Sequence, residues 1–85
     1  MEPERIRDTL YNYIRDACEV PEDDTEYTHD VNLFDYGYVD SFGATDILAF
    51  IESTYGIEVT QKDLLLYPMS SISEITEYIV KKVNG

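Results

Sequence analysis

The chain has 85 residues and one cysteine, which predicts a single small domain over residues 1–85 without an internal disulfide or a thiolate metal cluster. A domain of this size has a thin core, which leaves little room for a deep enclosed substrate pocket. Its 18 acidic and 6 basic residues give a net charge of −12, which disfavours binding to nucleic acids and anionic membrane surfaces.

The first predicted element is a helix over residues 4–17. Ile6, Leu10, Ile14 and Ala17 recur at steps of three and four residues, the spacing of one apolar helix face. The N-terminal segment has no continuous apolar stretch like that of a signal peptide, and no run in the chain approaches the ~20 apolar residues of a membrane span. These features predict a cytoplasmic, monomeric protein that inserts into no membrane.

The segment 18–40 is predicted to be a long loop, because it is rich in turn formers and carboxylates and poor in apolar residues. A connection of this length in a small domain is usually functional or partly disordered. We expect a short helical turn near residues 31–35. The anchors expected to hold the loop on the core are Val20, Val31, Leu33 and Phe34.

The second predicted helix covers residues 41–55. Its inward face is expected to begin at Phe42 and to continue through Ile47 and Ile51. Gly56 follows directly, and glycine supplies the left-handed residue that commonly ends a helix.

The C-terminal part is predicted to contain a short extended connector and two more helices. Residues 57–59 form the connector, and residues 61–66 form a short helix that Thr60 and Asp63 cap. The last helix starts at a second capping box, formed by Ser71 and Glu74, and its core stripe is Ile72, Ile75, Ile79 and Val83. The predicted fold class is therefore all-α: a small four-helix bundle of three main helices and a short third one.

The approach to the second helix carries the most specific pattern in the chain. It reads LFDYGYVDSFG over residues 33–43, and a serine or aspartate at such a place is ordinarily only a helix N-cap. The pattern, however, resembles the attachment motif of acyl and peptidyl carrier proteins, LF-(D/E)-x-G-x-x-DS. The order of the helices, the acidic loop and the GIEV segment after the second helix extend this resemblance over nearly the whole chain.

The resemblance implies that Ser41 receives 4′-phosphopantetheine from coenzyme A, with Asp40 and Phe42 as its flanking motif. Phe42 stands where the family usually has leucine, and the common fatty-acid carriers have GADSL instead. The DSFG variant is more similar to D-alanyl carriers and to stand-alone aminoacyl or polyketide carriers. The resemblance to carrier proteins further implies that the protein is not an enzyme, with no catalytic residue and no metal site. Such a protein carries an acyl or aminoacyl thioester between enzymes.

The charge distribution bears on the partners. No lysine or arginine occurs between Arg15 and Lys62, so the net negative charge belongs to the middle of the chain. Such a field favours fast encounter with basic protein surfaces. The implied partners are a phosphopantetheinyl transferase, an acyl or aminoacyl ligase and a downstream transferase, which are expected to contact Asp46, Phe50 and Glu52.

Alternatives from other classes lead to different expectations. An acidic helical protein-interaction module would use Ser41 only as a helix cap. A hydrolase built on Ser41 and His29 is disfavoured because VDSFG is not a G-x-S-x-G elbow. The carboxylates do not satisfy the EF-hand template, so no dedicated calcium site is predicted. Tyr36 and Tyr38 either shape the exit of the prosthetic arm or only cover the loop.

Overall fold

Residues 2–84 are described by a computed structural model, and within them the chain forms four α-helices and no strand. The helices are α1 (Pro3–Ala17), α2 (Ser41–Tyr55), α3 (Gln61–Leu66) and α4 (Ile72–Asn84). The all-α four-helix bundle with a short third helix is therefore confirmed. Within the same residues, no helix has both the length and the apolar character needed to cross a bilayer.

The centre of the core lies where α1 and α4 pack together. The buried aliphatic residues lie at helical spacing, as the patterns predict: Ile6, Leu10 and Ile14 from α1, and Ile72, Ile75 and Ile79 from α4. Tyr78 of α4 is buried beside them. The predicted stripes extend one residue too far, because Ala17 and Val83 are exposed near the ends of their helices. The apolar spacing of a sequence can continue to the end of a helix even where the partner helix no longer covers the last residues.

The long loop between α1 and α2 is held down more firmly than its composition suggests. Val20 and Leu33 are buried and Val31 is half-buried, as expected, but Phe34 is 45% exposed and that part of the prediction is wrong. Two residues of the loop that the apolar pattern did not single out are also in the core, Tyr27 and Val39.

The predicted turn near residues 31–35 is organised by Asn32. Its backbone carbonyl accepts from the Tyr36 N–H at 3.2 Å, and its side-chain Oδ1 accepts from the N–H groups of Phe34 and Asp35. The segment thus forms one hydrogen-bonded turn. It is tied to the C-terminal part of the chain by the Leu33 N–H, which donates to the Ser70 carbonyl at 2.8 Å.

The helix α2 ends at Gly56, whose φ of 64° is left-handed, as predicted. The connector that follows has no regular secondary structure, and its Val59 N–H donates to the Glu52 carboxylate at 2.9 Å. The capping box of Thr60 and Asp63 at α3 is present. At α4 the Ser71 hydroxyl accepts from the Glu74 N–H, whereas the Glu74 carboxylate accepts from Ser70 rather than from Ser71.

The third helix is anchored on the fourth through Asp63. One oxygen of its carboxylate accepts from Lys82 Nζ at 2.9 Å and from the Tyr78 hydroxyl at 2.8 Å. The hydrogen bond from Lys82 and then that from Tyr78 lower the pKa of Asp63 from its ordinary 3.8 to about 2. A helix of six residues has little stability of its own, so these contacts help to keep α3 in place.

Candidate functional site

The first turn of α2 is capped by Asp40 and not by Ser41. The Asp40 backbone is extended, and its Oδ1 accepts from the Gly43 N–H at 2.8 Å. The backbone carbonyl of Asp40 accepts the first helical bond, from Ala44. The expectation that Ser41 caps the helix is therefore wrong: Ser41 is the first helical residue, one position beyond the cap.

Because Asp40 provides the cap, the Ser41 side chain is not needed to cap the helix. Ser41 is exposed, and its hydroxyl makes no hydrogen bond with any of residues 2–84. Over the same residues, the backbone N–H groups of Ser41 and Phe42 have no protein acceptor. Free N–H groups in a first helical turn favour a bound phosphate, with the support of the helix dipole. The geometry therefore suits a phosphate ester on the Ser41 hydroxyl.

The backbone that leads to Ser41 is held by a hydrogen bond at Val39 and reverses at Gly37. Val39 is buried, and its N–H donates to the Leu33 carbonyl at 3.1 Å, which closes the loop between them. Gly37 makes the reversal possible with a φ of 77°, a conformation that favours glycine. The approach motif therefore forms a compact turn whose last residue is the cap of α2.

The two tyrosines beside Gly37 have different surroundings. Tyr38 is half-buried, and its hydroxyl donates to Asp24 Oδ2 at 2.8 Å. Tyr36 is 58% exposed. Tyr38 therefore covers the acidic loop, while Tyr36 faces solvent.

A small apolar cavity of about 90 Å³ lies beside α2. From α2 it is lined by Ala44, Ile47, Leu48 and Ile51. The other walls come from the loop, α3 and the region of α4: Leu33, Phe34, Leu64, Met69 and Ile75. Since Ala44 is three residues after Ser41, one wall of the cavity lies about one helical turn along α2 from Ser41. No side chain in its lining carries a charge or a hydrogen-bonding group.

Several large apolar side chains on α2 and α3 face solvent. Phe42 is 84% exposed and does not begin the inward stripe, so the predicted start of that stripe is wrong. In α3, Leu65 is 87% exposed and Leu66 is 61% exposed. Three consecutive leucines in one short helix carry no periodicity, so sequence patterns do not reveal which of them are exposed. The available signal was that these leucines lie in a short helix that the polar residue Asp63 anchors on α4.

The three residues expected to contact partners have different surroundings. Asp46 is exposed. The Phe50 ring stacks on Tyr13 with 3.8 Å between ring centres, and the Glu52 carboxylate accepts from Val59. Phe50 and Glu52 thus also make contacts within the protein, whereas the Asp46 side chain is free to meet a partner.

The histidine lies on the side of α1 and α4. The His29 ring contacts Tyr11 edge-on at 5.2 Å, and its carbonyl accepts from the Ser73 N–H. In the described part of the chain, no hydrogen bond connects His29 with Ser41. Residues 2–84 also hold no group of three or more side chains suited to binding a metal ion.

Comparison with known proteins gives one match. A protein-family model described as the phosphopantetheine attachment site matches residues 8–79, from the middle of α1 to the middle of α4. The match includes the capped start of α2, the acidic loop and the cavity. Neither the curated proteins nor the solved structures give a match.

Proposed function

Because the chain belongs to the family of phosphopantetheine attachment domains and is thus a carrier of this prosthetic group, we propose that Ser41 is the residue that holds it. The observation that carries the proposal is the exposed, unbonded Ser41 hydroxyl beside two free N–H groups at the start of α2. When bound, 4′-phosphopantetheine supplies a terminal thiol that can hold a cargo as a thioester. The N–H groups of Ser41 and Phe42 would hold its phosphate.

The other four serines in the matched region suit this role less well. Ser70 is half-buried in the connector before α4, and both its backbone groups are hydrogen-bonded, its N–H to Glu74 and its carbonyl to Leu33. The Ser71 side chain is buried and accepts from Glu74, and the Ser73 hydroxyl donates to Asp30 at 2.7 Å. Ser53 is exposed, but it lies near the C-terminal end of α2, where the helix dipole disfavours a phosphate.

Among residues 2–84, no basic side chain is hydrogen-bonded to the Ser41 hydroxyl, so we propose that a phosphopantetheinyl transferase activates the hydroxyl and that the carrier catalyses nothing. Capping alone does not explain Ser41, because Asp40 already caps the helix. In the alternative of an acidic interaction module, Ser41 would be only a helix cap, a role that Asp40 takes.

Intact mass after reaction with coenzyme A and a transferase tests the assignment. Wild type should gain ~340 Da, the mass of one covalent phosphopantetheine. Ser41→Ala should gain nothing, whereas the matched control Ser53→Ala should gain the same mass as wild type. Modification of Ser41→Ala would show that another residue carries the group, and an unmodified wild type with several competent transferases would contradict the carrier function of this chain.

The surface around the proposed attachment site favours partners with an apolar contact and a basic rim. Phe42, Leu65 and Leu66 present exposed apolar surface, and Asp46 adds a free carboxylate on α2. The acidic residues of the middle segment would steer a basic partner surface towards this site. We assign the transferase, a loading ligase and a downstream transferase to this surface, with Phe50 and Glu52 as supporting neighbours.

The cavity beside α2 supports a short apolar cargo. An engineered apolar cavity of about 150 Å³ binds benzene, which has six carbon atoms. The cavity beside α2, at about 90 Å³, therefore has room for about three or four carbon atoms. With no polar side chain in the lining to receive an ammonium group, an aminoacyl cargo would stay outside and a long acyl chain would be only partly covered.

A series of acyl thioesters on the loaded carrier tests the cargo proposal. Protection of the thioester against hydroxylamine should rise up to about four carbons and then level off. Ala44→Leu should remove the protection by filling the cavity, whereas Ala49→Leu, on the exposed side of α2, should leave it unchanged. Protection that keeps rising to ten carbons would show that the bundle opens for long chains.

A further inference from the structure

Three tyrosine rings form a continuous contact from α1 to the approach of Ser41. The rings of Tyr11 and Tyr27 are 4.6 Å apart, and those of Tyr27 and Tyr38 are 5.4 Å apart in an edge arrangement. Tyr27 is buried, and its hydroxyl donates to the Tyr11 carbonyl at 2.7 Å, while the Tyr11 hydroxyl donates to the Tyr27 carbonyl at 3.4 Å. We refer to Tyr11, Tyr27 and Tyr38 as the tyrosine clamp.

The outer end of the clamp holds the acidic loop. Tyr38 donates to one oxygen of Asp24, and the other oxygen accepts from the Glu26 N–H at 2.9 Å. One carboxylate therefore shapes its own turn and also joins residues 22–26 to residues 33–40. Both segments are acidic, and like charges at close range repel each other.

Residues 16–61 include no lysine or arginine that could form a salt bridge between residues 22–26 and residues 33–40. The donor is instead a neutral phenol, which holds a carboxylate without cancelling its charge. Burial, followed by the hydrogen bond to Asp24, raises the pKa of Tyr38 to about 12. The hydroxyl therefore keeps its proton at neutral pH and stays a donor.

The clamp reaches the proposed attachment site through only two residues. Val39 follows Tyr38 and is buried, with its N–H on the Leu33 carbonyl. Asp40 comes next and caps α2 through the Gly43 N–H. With Tyr38 and Val39 both held, the backbone at Asp40 has little freedom to leave the capping conformation.

We propose that Tyr38 is a positioning residue for the modification of Ser41, and that it acts through Asp24 and the capping conformation of Asp40. This inference rests on the proposed function of Ser41. A transferase binds the carrier with Ser41 in the first turn of α2, so the apparent affinity falls with the fraction of carrier in that conformation. Loosening the clamp lowers this fraction without changing the chemistry at the hydroxyl.

The test compares transferase kinetics on apo carriers. Tyr38→Phe keeps the ring and loses the donor, and it should raise the KM for the carrier about three- to tenfold with kcat unchanged, as expected from one lost hydrogen bond. Asp24→Ala should have a similar effect, and the double variant should be no worse than either single one. The matched control is Tyr36→Phe, which changes the exposed neighbour and should behave as wild type.

Amide hydrogen exchange at Gly43 gives a readout that does not need the transferase. Protection of this N–H should fall in Tyr38→Phe and stay at the wild-type level in Tyr36→Phe. A KM within twofold of wild type in Tyr38→Phe, or an equal change in Tyr36→Phe, would overturn the positioning role. If wild type itself were not modified, the proposed function would fail, and the exchange at Gly43 would still decide whether Tyr38 positions the cap.

Discussion

The α1–α4 pair and the α2–α3 pair use apolar residues in opposite ways. The former turns its large aliphatic residues inwards, and Ile6, Leu10 and Ile79 are almost fully buried. The latter buries Ile47 and Ile51 but leaves other apolar residues in solvent: Phe42, Leu64, Leu65 and Leu66.

The charges follow the same division. Five of the 6 basic residues are on α1 and α4, whereas α2 has none and α3 has only Lys62. The first pair contributes seven of the thirteen buried apolar residues among residues 2–84, and the second presents an apolar and acidic surface on α3 and on the helix that begins at Ser41. Exposed apolar residues do not stabilise a monomer, and grouped ones are typical of interaction sites.

The largest expected effect separates the two pairs by stability. Ile79→Ala removes fully buried groups from α4 and should lower the free energy of unfolding by about 2–5 kcal/mol. Leu65→Ala, at 87% exposure, should change it by less than about 0.5 kcal/mol. Urea unfolding followed by circular dichroism measures both, and equal losses would contradict the division.

The second effect separates the pairs by partner binding. Leu65→Ala should raise the KM of the transferase for the carrier about tenfold, as for a well-packed apolar contact. Val83→Ala is the matched control, because it removes an exposed apolar residue from α4. If Val83→Ala weakens binding as much as Leu65→Ala, the partner surface is not on the α2–α3 pair.

A smaller effect distinguishes the cap from its neighbour. Asp40→Ala removes the carboxylate that accepts from Gly43 and should cost about 1 kcal/mol of unfolding free energy. Ser41→Ala should stay within about 0.5 kcal/mol of wild type. Thermal and urea unfolding of the apo proteins give the comparison. A larger loss of unfolding free energy in Ser41→Ala than in Asp40→Ala would indicate that Ser41 caps the helix.

The smallest effect concerns the anchor of α3 on α4. The pKa of Asp63 is lowered to about 2 by Lys82 and Tyr78, so its contribution to stability is full above pH ~4 and is lost as the pH falls through ~2. The urea midpoint of wild type minus that of Asp63→Asn should therefore be constant from pH 6 to 4.5 and shrink below pH 4. A difference that stayed constant below pH 4 would contradict this anchoring role of Asp63.

Sequence reasoning was most reliable where a local rule decides the structure. The helix bounds, the Gly56 stop and the capping box of Thr60 and Asp63 depend on residues a few positions apart. It was least reliable at Phe34 and Phe42, since hydrophobicity alone does not tell which side of a helix or turn another element covers. Tyr27 was missed as core because its burial depends on Tyr11, sixteen residues earlier.

The sequence by itself determined the four helices, the concentration of negative charge and the motif that ends in Ser41, because each is a property of neighbouring residues. Only the tertiary structure decided that Tyr38 holds Asp24, that Tyr27 is buried and that Leu65 faces solvent. These depend on distances between segments and on which surfaces the packed helices leave uncovered. Tertiary packing therefore holds the turn that leads to Ser41, through the buried Val39 and the hydrogen bond from Tyr38 to Asp24.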